Sequence, residues 1–419
     1  MNWHRSTGWV RGAVVGIASL ALAVGGGLAL TGTAEAAGKP IKIGYVGGIT
    51  GACAGLTSYA VKAMKLATEE INKGGGVMGR PLEVIYRDSK TKPDEGAKQA
   101  RDLILSEHVD VLTGPCSSSI YMAVAPIAKQ YKVPLFSALA GSHRATIDED
   151  NPYVFETQPH TLIEGKALAE YAAKQPWNTI VTMGLDYEWG RVTVQVFVDE
   201  LKKLKPSVKI AKELWPRVGE TNLTSYITAA LAEKPDAVMA VMFGGGTVSM
   251  IKQGEAYGFL QRTKLLTFLS TEALMSLGPE IPDGVYGWAR APFYALHNAK
   301  AKAFIKKYRA AYGGEYPADW GVLAYDAMYI IKDGIEKAHS TNPAKLRNAL
   351  AGMKFDSLRG PLKMRKLDNT WDSPVFIGVT KKTPEYPFPI MVDVDRISGD
   401  LLMPPASVVK ELREKAKKS

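Results

Sequence analysis

Two cysteines in 419 residues are too few for a disulfide-stapled scaffold. The six histidines, at 4, 108, 143, 160, 297 and 339, fall in no metal-ligand spacing, so neither a metal nor another cofactor is expected. There is no G-x-S-x-G elbow and no phosphate-binding P-loop. The run GGGVMG (74–79) fits G-x-G-x-x-G, but it follows a helix pattern and precedes a strand pattern, the reverse of the dinucleotide context. S-x-x-K occurs at 89–92, 249–252 and 407–410 without the companion motifs that would give it meaning. No low-complexity segment or obvious linker interrupts the chain. The net charge of +10 is spread along helix faces with acidic residues between the lysines, as in DELKKLK (199–205), and only the tail 411–419 is densely basic. That pattern describes a solvated surface, and no nucleic-acid partner is expected.

What is present begins with a leader. Arg5 and Arg11 precede an almost wholly small or apolar stretch from Ala13 to Leu30, and Ala34-Glu35-Ala36 comes next. A basic start, an apolar centre and an A-x-A site are the parts of a secretory signal peptide cut after Ala36. No cysteine stands just past the apolar stretch, so no lipid anchor is indicated. Export to the periplasm is therefore expected, with a mature chain of 383 residues (419 less the 36 of the leader), long enough for two lobes with cores of their own.

Strand and helix patterns then alternate. Strands are expected at 41–47, 81–88, 109–114 and 133–138, with helices at 58–74, 93–107 and up to about 131. The rhythm resumes at 178–184, 207–215, 236–243 and 264–269, with helices at 190–204, 223–234 and 247–258. A strand is expected over 284–294 and a strongly amphipathic helix over 323–338. Regular alternation of this kind predicts an α/β fold with two doubly wound parallel sheets covered by helices. The break falls near 157–162.

In such sheets ligands bind beyond the carboxyl ends of the strands. TGPCSSS (113–119) stands at one such end and opens a helix, whose N-terminus favours an anion. The next strand ends in SALAGSHRAT (137–146), with Ser142 similarly placed. Two hydroxyl-bearing loops, with Ser117 and Ser118 in the first, predict a site for a carboxylate. Simple helix capping explains one serine but not both loops. A second arrangement, Ser117 as nucleophile with His143 as base, is the enzymatic alternative, but no carboxylate is evident to orient the imidazole. No enzymatic activity is expected.

At these residues the chain resembles the type I periplasmic binding proteins, in the leucine/isoleucine/valine-binding branch. The resemblance is carried by IKIGYVGGITG (41–51), EEINKGGGVMGRPLEVIYRDSKTKP (69–93), VDVLTGPCSSS and VPLFSALAGS, then DYEWGR (186–191) and VGETNLTSYI (218–227). It implies two lobes joined by three crossover segments around a ligand cleft. The lobes would be 37–158 plus about 292–355, and 159–291 plus about 356–385, with 386–419 an extension packed on the lobes or partly disordered. It implies a monomer that captures a small amino acid or carboxylate-bearing solute and delivers it to the ABC permease of the inner membrane. A sensor that docks on a receptor is the alternative.

Residue by residue, Ser117 matches the serine that holds the ligand carboxylate. Ala140 and Ser142 match a carbonyl contact to the ammonium and a second carboxylate-binding hydroxyl. Trp189 stands where the family often has a Tyr lining the pocket from the second lobe, with Tyr187 close by. Gly244 and Leu56 stand where the branch commonly has aromatics, and at the position of the ammonium's acidic partner Glu272 aligns, with Ser270 or Thr271 as the alternative alignments. The carboxylate half of the site is thus kept while the side-chain half departs, which puts leucine itself in doubt as the solute. In the strand order 2-1-3-4-5 that the resemblance implies, Cys53 and Cys116 share one sheet edge, and a disulfide between them is expected.

Overall fold

The computed structural model describes residues 38–418, so the leader read at 1–36 lies outside the described residues. Among these residues, no helix is long and apolar enough to cross a membrane. The strands are β1 (Ile41–Gly47), β2 (Leu82–Asp88), β3 (Val111–Thr113), β4 (Leu135–Ser137), β5 (Val154–Glu156), β6 (Thr179–Gly184), β7 (Lys209–Leu214), β8 (Ala237–Val241), β9 (Lys264–Phe268) and β10 (Tyr286–Ala289). They continue with β11 (Lys354–Ser357), β12 (Gly360–Arg365), β13 (Thr370–Trp371), β14 (Val375–Lys381) and β15 (Ile390–Ile397).

Two sheets result. The first runs β11-β12-β13-β5-β4-β3-β1-β2 and the second β15-β14-β10-β9-β8-β6-β7. Within each, five parallel strands repeat the same order, with the first strand between the second and third. Each sheet therefore has a switch point, where connections leave a strand in opposite directions and a crevice opens at the carboxyl edge. The apolar run of β1 is buried along nearly its whole length, as expected where helices cover both faces, whereas the edge strands β2 and β7 are mostly half-exposed.

Sequence alternation anticipated the parallel strands but not the later ones. Residues 354–397 contain hairpins without covering helices, so β11, β12, β14 and β15 pair antiparallel. This also moves a boundary. The second lobe was expected to take up the chain again at about 356, yet β13 pairs with the free edge of β5 and keeps 354–371 in the first sheet. The chain then crosses at 372–374, as it does at 157–160 and 290–298. The expected extension from 386 supplies β15, the outer strand of the second sheet. Beyond it, the helix Ala406–Ala416 packs Val409 against Ile147 and Leu162. The strand expected over 284–294 spans only β10, and the residues after it belong to a crossover.

A buried ion pair holds two crossings together. Arg359 donates to Asp326 Oδ2 at 3.1 Å and to the carbonyl of Thr157 at 2.8 Å, and Ser373 Oγ donates to the same carbonyl at 3.0 Å. Both charged side chains are almost fully buried. Arg359→Met should leave the Asp326 carboxylate without its cation and cost about 3–5 kcal/mol, read as a lowered urea midpoint with an unchanged slope. A midpoint equal to the parent would show that the pair does not secure the crossings.

Candidate functional site

Directly after β3 stands Gly114, whose φ of 117° suits glycine and where a Cβ would fall 2.6 Å from the Tyr45 ring. The chain turns there into Cys116 and Ser117 and starts the helix Ser118–Tyr131. Ser117 is the N-cap but makes no side-chain cap. The helical ladder begins with Tyr121 N donating to Ser117 O, so the amides of Ser118, Ser119 and Ile120 have no acceptor among the described residues. Unpaired amides at a helix start carry partial positive charge, and here they stand at the cleft.

The second lobe meets this point with the start of the helix Glu188–Leu204. Trp189 N donates to Ser118 Oγ at 2.8 Å. Ser142 Oγ donates to Glu188 Oε1 at 2.7 Å, and Arg144 Nη1 to Glu188 Oε2 at 2.9 Å. The lobes are thus in contact through hydrogen bonds at both serine loops.

Between them lies a narrow cavity of about 20 Å³ in this closed arrangement, room for little more than a water molecule. The first lobe lines it with Leu56, Cys116, Ser118, Leu139, Ala140 and Gly141, and the second with Tyr187, Trp189, Phe243 and Phe268; Arg290 and Trp320 complete it. Arg290, 3 % exposed, stands just past β10 at the start of a crossover. Its Nε and Nη2 donate to Glu164 Oε1 and Oε2 at 2.8 and 2.9 Å, and Nη1 to the carbonyl of Leu139 at 2.6 Å. Trp189 Nε1 donates to the same Glu164 Oε2 at 2.6 Å. The guanidinium lies 5.6–5.8 Å from the ring centres of Trp189, Phe268 and Trp320, within reach of cation–π attraction.

The sequence-derived residues divide on this geometry. Ser118, Ala140, Tyr187, Trp189 and Leu56 line the cavity. Ser117 does not, and His143 Nδ1 pairs with Thr161 Oγ1 at 2.7 Å rather than with the Ser117 hydroxyl. Burial together with the Arg144 charge lowers the His143 pKa to about 3. The hydroxyl of Ser142 is engaged by Glu188. The Ala140 carbonyl, expected to receive an ammonium, already accepts from Gln158 Nε2 at 2.8 Å and from Ser137 Oγ. Gly244 caps the helix Gly245–Ala256 and leaves its neighbour Phe243 to face the cavity.

Glu272 is buried outside the lining. Ser270 Oγ donates to its Oε1 at 2.5 Å while Oε2 has no hydrogen-bond partner among the described residues, and burial with the nearby Asp319 charge raises its pKa to about 7. The expected disulfide is not formed: Cys53 and Cys116 are free, buried thiols. They pack as neighbours around Gly48, where a Cβ would fall 2.6 Å from Cys53 Cβ and 2.7 Å from Cys116 Sγ. Burial, then hydrogen bonding to Cys53, pushes the Cys116 thiol up, so Cys116 behaves as a small apolar group.

Sequence reasoning missed Arg290, Glu164, Phe243, Phe268 and Trp320. For Arg290 a signal existed: it is a lone cation directly after the apolar run YGWA, at the carboxyl edge where ligands bind.

Residues 40–384 match the family model described as periplasmic binding protein. The chain belongs to this family. Among curated relatives, this periplasmic binding protein is 24 % identical over 333 residues to the leucine-, isoleucine-, valine-, threonine- and alanine-binding protein of Pseudomonas aeruginosa, covering 78 % of this chain and 86 % of that one. It is 20 % identical over 288 residues to glutamate receptor 3.4 of Arabidopsis thaliana, covering 66 % of this chain but only 29 % of the receptor. Its fold is that of an ABC-transporter solute-binding protein of Rhodopseudomonas palustris BisB5 solved with 3,4-dihydroxybenzoic acid. There the TM-score is 0.76 at 23 % identity, with 86 % of this chain and 98 % of that one covered.

One buried acid gives a pH test. Glu156 accepts from Ser142 N at 3.1 Å and Thr146 Oγ1 at 3.0 Å, and burial lifts its pKa to about 8. A carboxyl whose folded pKa exceeds its unfolded value favours the folded state only while protonated. Stability from this group therefore falls as pH rises from about 4.3 towards about 8. Glu156→Gln should raise Tm over the parent at pH 8.5 and change it little at pH 4.5. An equal shift at both values would contradict the assignment.

Proposed function

We propose that this periplasmic binding protein captures a small carboxylate-bearing solute by lobe closure in the periplasm and delivers it, as a monomer, to the ABC permease of the inner membrane. The observation that carries the proposal is the cavity itself, closed by residues of both lobes and crossed at one wall by the Trp189 N to Ser118 Oγ bond. Opening at the crossovers removes that bond and the Ser142–Glu188 bond. A solute touching both walls adds contacts only in the closed form and shifts the population toward it.

The Ser118 hydroxyl, the unpaired amides behind it and the Arg290 guanidinium give this cavity a surplus of donors, which suits a carboxylate. The family match, the amino-acid-binding relative and the dihydroxybenzoate-binding neighbour support a small organic solute.

Native mass spectrometry of protein purified from the periplasm without dialysis should show a bound small acid. Ser118→Ala should weaken its binding by roughly tenfold, because hydrogen bonds to a charged group are the stronger kind. Unchanged affinity in calorimetry would remove Ser118 from the site, and a bound solute without an acid group would contradict the proposed class.

A further inference from the structure

We infer that Arg290 is the specificity-determining residue of the cleft, and that it selects a planar aromatic acid without an α-ammonium group over an amino acid. The inference rests on the solute-binding reading and narrows it.

Arg290 has five N–H donors. Three are taken by Glu164 and the Leu139 carbonyl, which leaves two without an acceptor among the described residues, on a side chain that lines the cavity. A carboxylate that takes them gains charge-assisted hydrogen bonds in a site largely shielded from water. The same groups are hostile to an ammonium. Among the described residues, no side-chain carboxylate lines the cavity. Glu164 is paired with Arg290 and also accepts from Trp189, and Glu188 accepts from Ser142 and pairs with Arg144. The Ala140 carbonyl already has two donors, and the bare oxygen of Glu272 belongs to a residue outside the lining. An α-ammonium would lie without a counter-charge beside a guanidinium and the positive end of a helix.

The walls choose the rest of the molecule. Tyr187, Trp189, Phe243, Phe268 and Trp320 surround the cavity with ring faces and edges, and Phe268 stands edge-on to Trp189 at 5.5 Å. Once the lobes part to admit a solute, a flat ring packs against such surfaces by offset or edge-to-face contact.

The test is calorimetry on ligand-stripped full mature protein with benzoate, benzamide, L-phenylalanine and L-leucine. Benzoate should bind at least roughly 100-fold more tightly than either amino acid, the factor expected when a buried charge is left uncompensated. It should also exceed benzamide by roughly 30-fold, since hydrogen bonds to a charged partner are lost with the amide. In the double variant Arg290→Met with Glu164→Gln, which removes both charges while keeping an acceptor for Trp189 Nε1, the benzoate-to-benzamide ratio should fall to about threefold or less.

Leucine or phenylalanine binding as tightly as benzoate would overturn the inference and leave the solute-binding reading intact. A double variant that keeps its preference for benzoate would remove Arg290 as the discriminating group. Binding of none of the four probes would overturn the aromatic-acid class, and native mass spectrometry would then decide the broader reading separately. Should the double variant fail to fold, the two ratios measured on the parent protein still decide the ligand class.

Discussion

The cleft of this protein depends on one buried ion pair, Arg290 with Glu164. Isolated charges are costly to bury, so such a pair persists only where geometry satisfies both partners. Here Glu164 accepts from Arg290 twice and from the Trp189 indole, while Arg290 also reaches a carbonyl of the opposite lobe. The backbone at the same point is fixed by a second buried carboxylate. Asp319 accepts from the amides of Arg290 and Ala291 and from both the amide and hydroxyl of Thr271. The crossover, the orientation of Trp189 and the hydrogen bond from Trp189 N to Ser118 are thereby linked through a few side chains. The closed arrangement of the lobes and the shape of the cavity rest on the same contacts.

Much of the architecture was legible because parallel strands announce themselves. A strand buried on both faces is apolar almost throughout, as β1 is, and helices between such strands show their period plainly. The placement of TGPCSSS at a carboxyl edge was legible for the same reason, and Ser118 stands in the cleft with Tyr187 and Trp189 opposite. The later hairpins were less legible. β11 to β13 are short, and whether they extend one sheet or the other depends on which edge is free, a tertiary fact that no local pattern carries.

The polar half of the site was less legible, because roles there depend on partners rather than residue types. Ser142 has the expected position, but its hydroxyl is taken by Glu188, 46 residues further along the chain and on the other lobe. Ala140 has a carbonyl in the cavity wall, but two donors already hold it. Arg290 and Glu164 are 126 residues apart, so neither residue alone indicates that the pair is buried. Phe243, Phe268 and Trp320 read as ordinary core residues in sequence, because the wall of a closed cleft and a hydrophobic core have the same composition.

The most direct measurement is a crystal structure of the protein with the solute it retains from the periplasm. The account predicts a carboxylate oxygen of that solute within hydrogen-bond distance of an Arg290 Nη atom, with the Glu164 pair and the Trp189 indole bond intact. An acid group bound elsewhere, with Arg290 contacting only Glu164 and Leu139, would contradict it.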